Sequence, residues 1–138
     1  MAVVLGYDDS PGAVRALHIA IQAAAAFREP LVLVYGAAAP GTRGEEYRAH
    51  HEALREAGRL ALDHAVAKAE AAGVATTVEL IDQKPAQALI DAATRHGARF
   101  IVVGSWGESP MRGALLGSTP HKLLHLSSIP VLCVPTER

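Results

Sequence analysis

The most informative stretch of the sequence is residues 99–120, RFIVVGSWGESPMRGALLGSTP. Its first part, Phe100–Val103, is an apolar run rich in β-branched residues, which predicts a strand buried on both faces of a sheet. Gly104 ends the run, and a glycine-rich loop leads to Ser118–Pro120, a tripeptide that favours a helix start. A strand, a glycine-rich loop and a helix N-terminus in this order predict a phosphate site, because backbone N–H groups can approach an anion closely there.

The remainder of the chain supplies the other elements of an α/β fold. Apolar runs predict further strands near residues 2–6, 31–35, 74–82 and 129–134. Amphipathic segments predict helices near residues 11–27, 45–72, 85–96 and 119–127. Because unalternating strands alternate with helices along the chain, we predict a mainly parallel, doubly wound, five-stranded sheet with helices on both faces. It would form a single domain over residues 1–138, with a ligand crevice at the carboxyl ends of the strands.

Composition excludes several classes of function. The chain has 138 residues, a net charge of -1 and 50% hydrophobic residues, and a pI near 6.6, so nothing favours binding to nucleic acid or acidic membranes. No apolar run approaches the roughly 18 residues of a membrane span, and Met1–Leu5 lacks the basic segment of a signal peptide. The single cysteine, Cys133, is expected to be a buried, inert thiol. We therefore expect a cytoplasmic protein without nucleic-acid or membrane partners.

The spacing of the loop glycines is more specific than their number. Gly104-x2-Gly107-x9-Gly117-Ser118 resembles the G-x2-G-x9-G-(S/T) signature of the ATP-binding branch of the universal stress protein family, and it is neither a Walker A loop nor a dinucleotide fingerprint. The similarity covers nearly the whole chain. Residues 6–10 resemble the opening V-x-D-G-S motif of the family, with Asp9 in place of the usual glycine, and residues 127–134 resemble its closing strand. The resemblance implies a Rossmann-like fold.

The same resemblance implies an ATP site. In ATP-binding members the aspartate of the opening motif contacts the nucleoside, which corresponds to Asp8, and a residue at the end of the second strand, Val34 by position, meets the adenine. The phosphates would meet the glycine loop and the helix start, namely Gly104, Gly107, Gly117, Ser118 and Thr119. Mg²⁺ is a candidate companion ion. At Gly117 we expect a positive φ, so that a β-branched residue would disrupt the site.

Two departures from the family pattern affect the phosphate side. Trp106 stands where the family often has a basic residue, and Thr119-Pro120 follows the Gly-Ser pair in place of Val-Ser/Thr. Pro120 removes one N–H that could have faced a phosphate. Because it falls in the first turn of a helix, where N–H groups are otherwise free, we expect a weakened site and not a lost one.

The function implied by the resemblance is a stress-response module in which ATP serves regulation or sensing. No nucleophile–base pair stands out, so at most slow ATP hydrolysis is expected. The closing strand of the family often pairs across a dimer, which implies a homodimer through Ile129–Val134. Two alternatives remain open: a dimeric interaction module that binds no nucleotide, and a divergent ATP-pyrophosphatase or adenylyl-transferring relative. The latter would need an S-G-G-x-D-S loop after the first strand, where this chain has residues 7–12, YDDSPG.

Two pairs of polar residues have competing interpretations. The adjacent Asp8 and Asp9 could hold Mg²⁺ or act as acid and base, but a turn aspartate also suits a helix cap. We expect Asp8 at the nucleoside, and Asp9 either as the N-cap of the first helix or exposed to solvent. His121 and His125 have the i, i+4 spacing of two metal ligands, yet no third ligand accompanies them, so we predict a surface pair and no metal site.

Overall fold

The structure, a computed structural model, describes residues 1–38, 44–105 and 117–136. Strands and helices alternate along these ranges. Their bounds are β1 (Ala2–Gly6), α1 (Pro11–Phe27), β2 (Leu31–Gly36), α2 (Glu45–Ala71), β3 (Thr76–Ile81), α3 (Pro85–Arg95), β4 (Ala98–Gly104), α4 (Ser118–Leu126) and β5 (Val131–Val134). No helix in the described ranges is both long and apolar enough to cross a bilayer.

The strands form one five-stranded sheet with the order β3-β2-β1-β4-β5. Every pairing between neighbouring strands is parallel. The chain therefore winds outward from β1 to β3 in one direction, then returns to the other side of β1 for β4 and β5. This is the doubly wound arrangement predicted from the sequence, and it puts a topological switch point between β1 and β4.

The two faces of the sheet bury two separate apolar clusters. Side chains of β1 alternate between them, since Val3 and Leu5 belong to the cluster beneath α1 and α2, whereas Val4 belongs to the cluster beneath α3 and α4. Alanines supply much of each helix face, for example Ala16 and Ala65, which are fully buried. Small side chains allow close approach of helix and sheet, as the alanine-rich composition predicts. The prediction of helices on both faces is confirmed.

Some boundaries differ from the sequence-based prediction by two residues. Gly73 has φ +74 and the Val74 N–H donates to the Ala69 carbonyl at 3.0 Å, so Val74 still belongs to the turn that ends α2. The last strand begins at Val131, after Pro130, which has no N–H to contribute to a ladder. Cys133 is only partly buried, and this burial raises the pKa of its thiol.

Candidate functional site

A crevice of about 310 Å³ opens at the carboxyl edge of the sheet, beside the switch point between β1 and β4. Its walls come from the ends of β1, β2 and β4 and from the first residues of α1, α3 and α4. Volumes of small-molecule sites begin at about 300 Å³. All the predicted site residues that the structure describes line this crevice, namely Asp8, Val34, Gly104, Gly117, Ser118 and Thr119. Gly107 lies outside the described residues.

The turn between β1 and α1 forms the wall that carries Asp8. One carboxylate oxygen of Asp8, Oδ1, accepts a hydrogen bond from the Ser10 N–H at 3.0 Å. The Ser10 hydroxyl in turn accepts from the Ala13 N–H at 3.2 Å and caps α1. Of the two alternatives predicted for Asp9, the N-cap is wrong, because Ser10 occupies that position, whereas exposure to solvent is confirmed. Asp8 both shapes the turn and lines the crevice, so its structural role leaves room for a contact with a ligand.

Asp9 itself has an unusual backbone conformation. Its φ of +63° lies in the left-handed region, which aspartate tolerates better than most residues other than glycine. The Oδ2 atom of Asp9 lies 2.9 Å from Nδ1 of His64 on α2. The left-handed backbone explains why glycine would also suit this position, and the contact with His64 gives the aspartate side chain a partner.

The end of β2 forms the opposite wall. The Val34 carbonyl accepts a hydrogen bond from the Tyr7 N–H at 3.0 Å, which ties the ends of β2 and β1 together. A Cβ atom on Gly36 would lie 2.7 Å from Cα of Pro85, so the backbone at the start of α3 closes directly over the strand end. Pro85 and Leu89 line the crevice with Tyr35. This side is apolar and close-fitting.

The start of α4 supplies backbone donors on the third side. Gly117 is the N-cap and Ser118 the first helical residue, without a side-chain cap. The N–H of Gly117 donates to the Ser105 carbonyl at 2.6 Å, and Pro120 has none, so the first-turn donors that remain are those of Ser118 and Thr119. Gly117 has φ −66°, and the expectation of a positive φ there is wrong because its backbone is extended.

The first glycine of the loop, Gly104, is enclosed by backbone. A Cβ atom at this position would lie 2.8 Å from the carbonyl carbon of Gly12 and 2.9 Å from its oxygen. Gly104 thus allows the end of β4 to pack against the first turn of α1. Its place in the glycine pattern follows from this close approach, whatever it contributes to a ligand.

The fold agrees with comparisons to known proteins. A family model described as the universal stress protein family matches residues 1–135. The chain belongs to this family. A universal stress protein from Mycobacterium tuberculosis is 34% identical across 99% of this chain and 49% of its own length. The matched part of the chain covers about half the length of the curated relatives, 49% to 55%.

Two solved universal stress proteins match nearly end to end. One, from Burkholderia pseudomallei, is 31% identical with a TM-score of 0.77, covering 97% of this chain and 96% of its own. Another, solved in complex with cAMP, is 29% identical with a TM-score of 0.78, covering 99% of this chain and 98% of its own. The family resemblance seen in the glycine spacing is therefore confirmed over the full fold.

Charge is sparse in the crevice of this universal stress protein. Among the described residues that line it, Asp8 alone carries a formal charge at neutral pH. The N–H donors and dipole at the start of α4 are uncharged groups that favour an anion in this crevice. No group of three or more His, Cys, Asp or Glu side chains in the described ranges could hold a metal ion. His121 and His125 are exposed, with ring centroids 4.7 Å apart.

Sequence reasoning missed several residues of the site. Tyr7 and Pro85 line the crevice, and His64 contacts its turn from outside. Tyr7 directly precedes the predicted Asp8, and Pro85 begins a predicted helix at the carboxyl edge of the sheet, so position alone could have indicated both. His64 had no such signal in the sequence, because it lies in the middle of a long amphipathic helix.

Proposed function

We propose that this universal stress protein binds ATP in the crevice at the switch point, as a nucleotide-dependent regulator or sensor. The observation that carries the proposal is the convergence of Asp8, Val34 and Ser118 on one crevice, although they lie in the turn after β1, on β2 and on α4. The relative solved with cAMP supports a nucleotide ligand. On this proposal, residues 1–138 form a single nucleotide-binding domain in the cytoplasm.

The nucleoside would occupy the apolar side of the crevice. The adenine would lie against the end of β2 at Val34, beside Tyr35 and Pro85, where the flat ring meets apolar surface. The Asp8 carboxylate accepts only, so it suits the hydroxyls of a ribose, which donate. Its Oδ1 already accepts from the Ser10 N–H, so the turn keeps the carboxylate directed while a ligand uses its remaining acceptor capacity.

The phosphates would lie at the start of α4. The N–H groups of Ser118 and Thr119 and the helix dipole attract an anion there, and we propose that Gly107 and Gly117 allow the loop to approach it. Mg²⁺, where present, would be held by the phosphates and water, because this ion keeps several waters when bound with nucleotides. At most slow hydrolysis is proposed.

The same chain is proposed to form a homodimer through Ile129–Val134. Among the strands of the described ranges, β5 lies at an edge of the sheet and has no strand on its outer side, and apolar edge strands readily pair with another chain. Leu132 on β5 is 40% exposed, and Leu124 and Leu126 on the neighbouring helix α4 are 53% and 65% exposed. A second copy paired along this edge would remove exposed apolar side chains from water.

Asp8 provides the test of the nucleotide proposal. Asp8→Ala removes both the ligand carboxylate and the acceptor for the Ser10 N–H, whereas Asp8→Asn keeps an acceptor and removes only the charge. Charge-assisted hydrogen bonds contribute about 1.5–3 kcal/mol, so Asp8→Ala should weaken ATP by roughly ten- to hundredfold. Inorganic triphosphate, which would touch only the start of α4 and its loop, should bind almost unchanged.

Calorimetry on each folded variant would measure both ligands. Equal losses for ATP and triphosphate, or no loss for either, would remove Asp8 from the nucleoside site. Mass spectrometry of gently purified wild-type protein gives an independent check, because a retained adenine nucleotide is expected. Failure of the wild-type protein to bind any nucleotide would leave the dimeric interaction module as the better interpretation.

A further inference from the structure

The long helix α2 contacts the turn that carries Asp8 from outside the crevice. Nδ1 of His64 lies 2.9 Å from Oδ2 of Asp9, across a sequence separation of 55 residues. A carboxylate can only accept, so the ring nitrogen of His64 carries the hydrogen and donates it. The side chain of Asp9 is 36% exposed and that of His64 62% exposed, so the contact lies at the surface.

Asp9 has an unfavourable backbone conformation for a residue with a side chain. Its left-handed backbone, with φ +63°, is one that side-chain-bearing residues adopt less readily than glycine. Its carboxylate also acts on Tyr7, which is 3% exposed. Burial first, then hydrogen bonding and charge from Asp9 and the charge of Asp8, raise the pKa of the Tyr7 phenol. Asp9 therefore affects the pKa of Tyr7, which directly follows β1, and its carboxylate contacts His64 on α2.

The neighbours of Asp9 form the crevice wall. Tyr7, Asp8 and Ser10 line the crevice, whereas Asp9 is not among the lining residues. The Tyr7 N–H is bonded to the Val34 carbonyl, and the Asp8 carboxylate is bonded to the Ser10 N–H. A shift of Asp9 would move the two residues on either side of it, and with them the direction of the Asp8 carboxylate.

We propose that His64 is a positioning residue for the nucleotide crevice, and that it acts by holding Asp9 so that the Asp8 carboxylate keeps its direction. The proposal rests on the proposed function for its effect on ligand, but its effect on the turn does not. Exposed hydrogen-bonded pairs have modest strength, so loss of the contact should weaken ATP about three- to fivefold.

The first experiment measures the turn without ligand. Amide hydrogen exchange at Ser10 and Ala13, followed by NMR, reports on the two hydrogen bonds that define the turn. His64→Ala should speed exchange at both amides, and His64→Asn, whose side-chain amide approximates Nδ1, should restore much of the protection. Arg59→Ala is the matched control, because Arg59 lies on the same helix and its side chain pairs with Glu56 at 3.0 Å. Unchanged exchange in His64→Ala would overturn the proposal.

The second experiment measures ATP affinity in a double-mutant cycle. Asp9→Gly removes the carboxylate and permits the left-handed backbone, so His64 should have nothing left to hold. Adding His64→Ala to Asp9→Gly should then cause no further loss, although His64→Ala alone weakens ATP about three- to fivefold. Additive losses, or faster exchange with unchanged affinity, would show that His64 does not act on the site through Asp9. If the wild-type protein binds no ATP, the proposed function fails, and the exchange measurement still decides whether His64 orders the turn.

Discussion

Replacing Gly104 by alanine tests whether the packing of β4 against α1 requires glycine at the first position of the glycine motif. The new Cβ would lie 2.8 Å from the carbonyl carbon of Gly12, 2.9 Å from its oxygen and 3.3 Å from the nitrogen of Ala13. These are backbone atoms in the first turn of α1, so they cannot rotate aside as a side chain would. The helix start must move away from β4, and it carries the turn with Asp8.

The cost can be estimated from the effect of overpacking, which is typically about 1–3 kcal/mol. For a domain of this size, each kcal/mol lowers Tm by roughly 3–5 °C, so Gly104→Ala should lower Tm by about 3–15 °C. ATP affinity should fall as well, because the shift widens the crevice. Differential scanning calorimetry measures the first effect, and isothermal titration calorimetry on the folded variant the second.

Gly6→Ala is a matched control at the rim of the same crevice. Its Cβ would lie 2.8 Å from Cδ1 of Leu89, which is the end of a flexible side chain and can adjust at lower cost. We therefore expect Gly104→Ala to be more destabilising than Gly6→Ala. A Gly104→Ala protein as stable as the wild type, or a larger loss in Gly6→Ala, would refute the packing explanation.

Two further predictions concern acid stability and assembly. Burial acts to raise the pKa of Glu79, but hydrogen bonds from Arg95 and His96 lower it overall. The stability that the ionised Glu79 carboxylate contributes is therefore present above the usual pKa of 4.5 and is lost as pH falls through the lowered pKa. The stability difference between wild type and Glu79→Gln should therefore shrink in urea titrations taken from pH 6 to below that value, and a constant difference would count against it. Leu132→Asp should weaken a homodimer roughly tenfold in equilibrium sedimentation, whereas the same change at Leu60, exposed on α2, should not. A wild-type monomer well above micromolar concentration would contradict this.

The location of the site was predictable because parallel sheets concentrate their strand ends. Asp8, Val34 and Gly104 each end, or follow directly after, an apolar run, so knowledge of the strands alone puts them at the same edge of the sheet. Ser118 follows from the same reasoning, since a helix after β4 must begin at that edge. The sequence therefore predicts which residues share the crevice without any contact being known.

The conformation of each residue within the crevice was less predictable. Two adjacent aspartates and a serine all suit a helix cap, and only the backbone path shows that Ser10 caps α1 while Asp9 turns left-handed. Similarly, glycine is needed at position 104 because α1 packs closely against it, whereas glycine at position 117 has an extended backbone that any residue could adopt. Identical letters in a motif thus reflect different physical requirements.

The contact of His64 with Asp9 illustrates what lies beyond local reasoning. Helical periodicity indicates which face of α2 is apolar, but it does not indicate which polar residue reaches the turn after β1, 55 positions earlier in the sequence. That depends on the height and rotation of α2 on the sheet, which its buried residues Ala61 and Ala65 set by packing. Where the opening motif of the family usually has a glycine, this chain has an aspartate at a backbone conformation that glycine adopts without strain. The aspartate adopts this conformation less readily than glycine would, but its side chain contacts His64 on α2. On our proposal, this contact is how His64 affects the crevice.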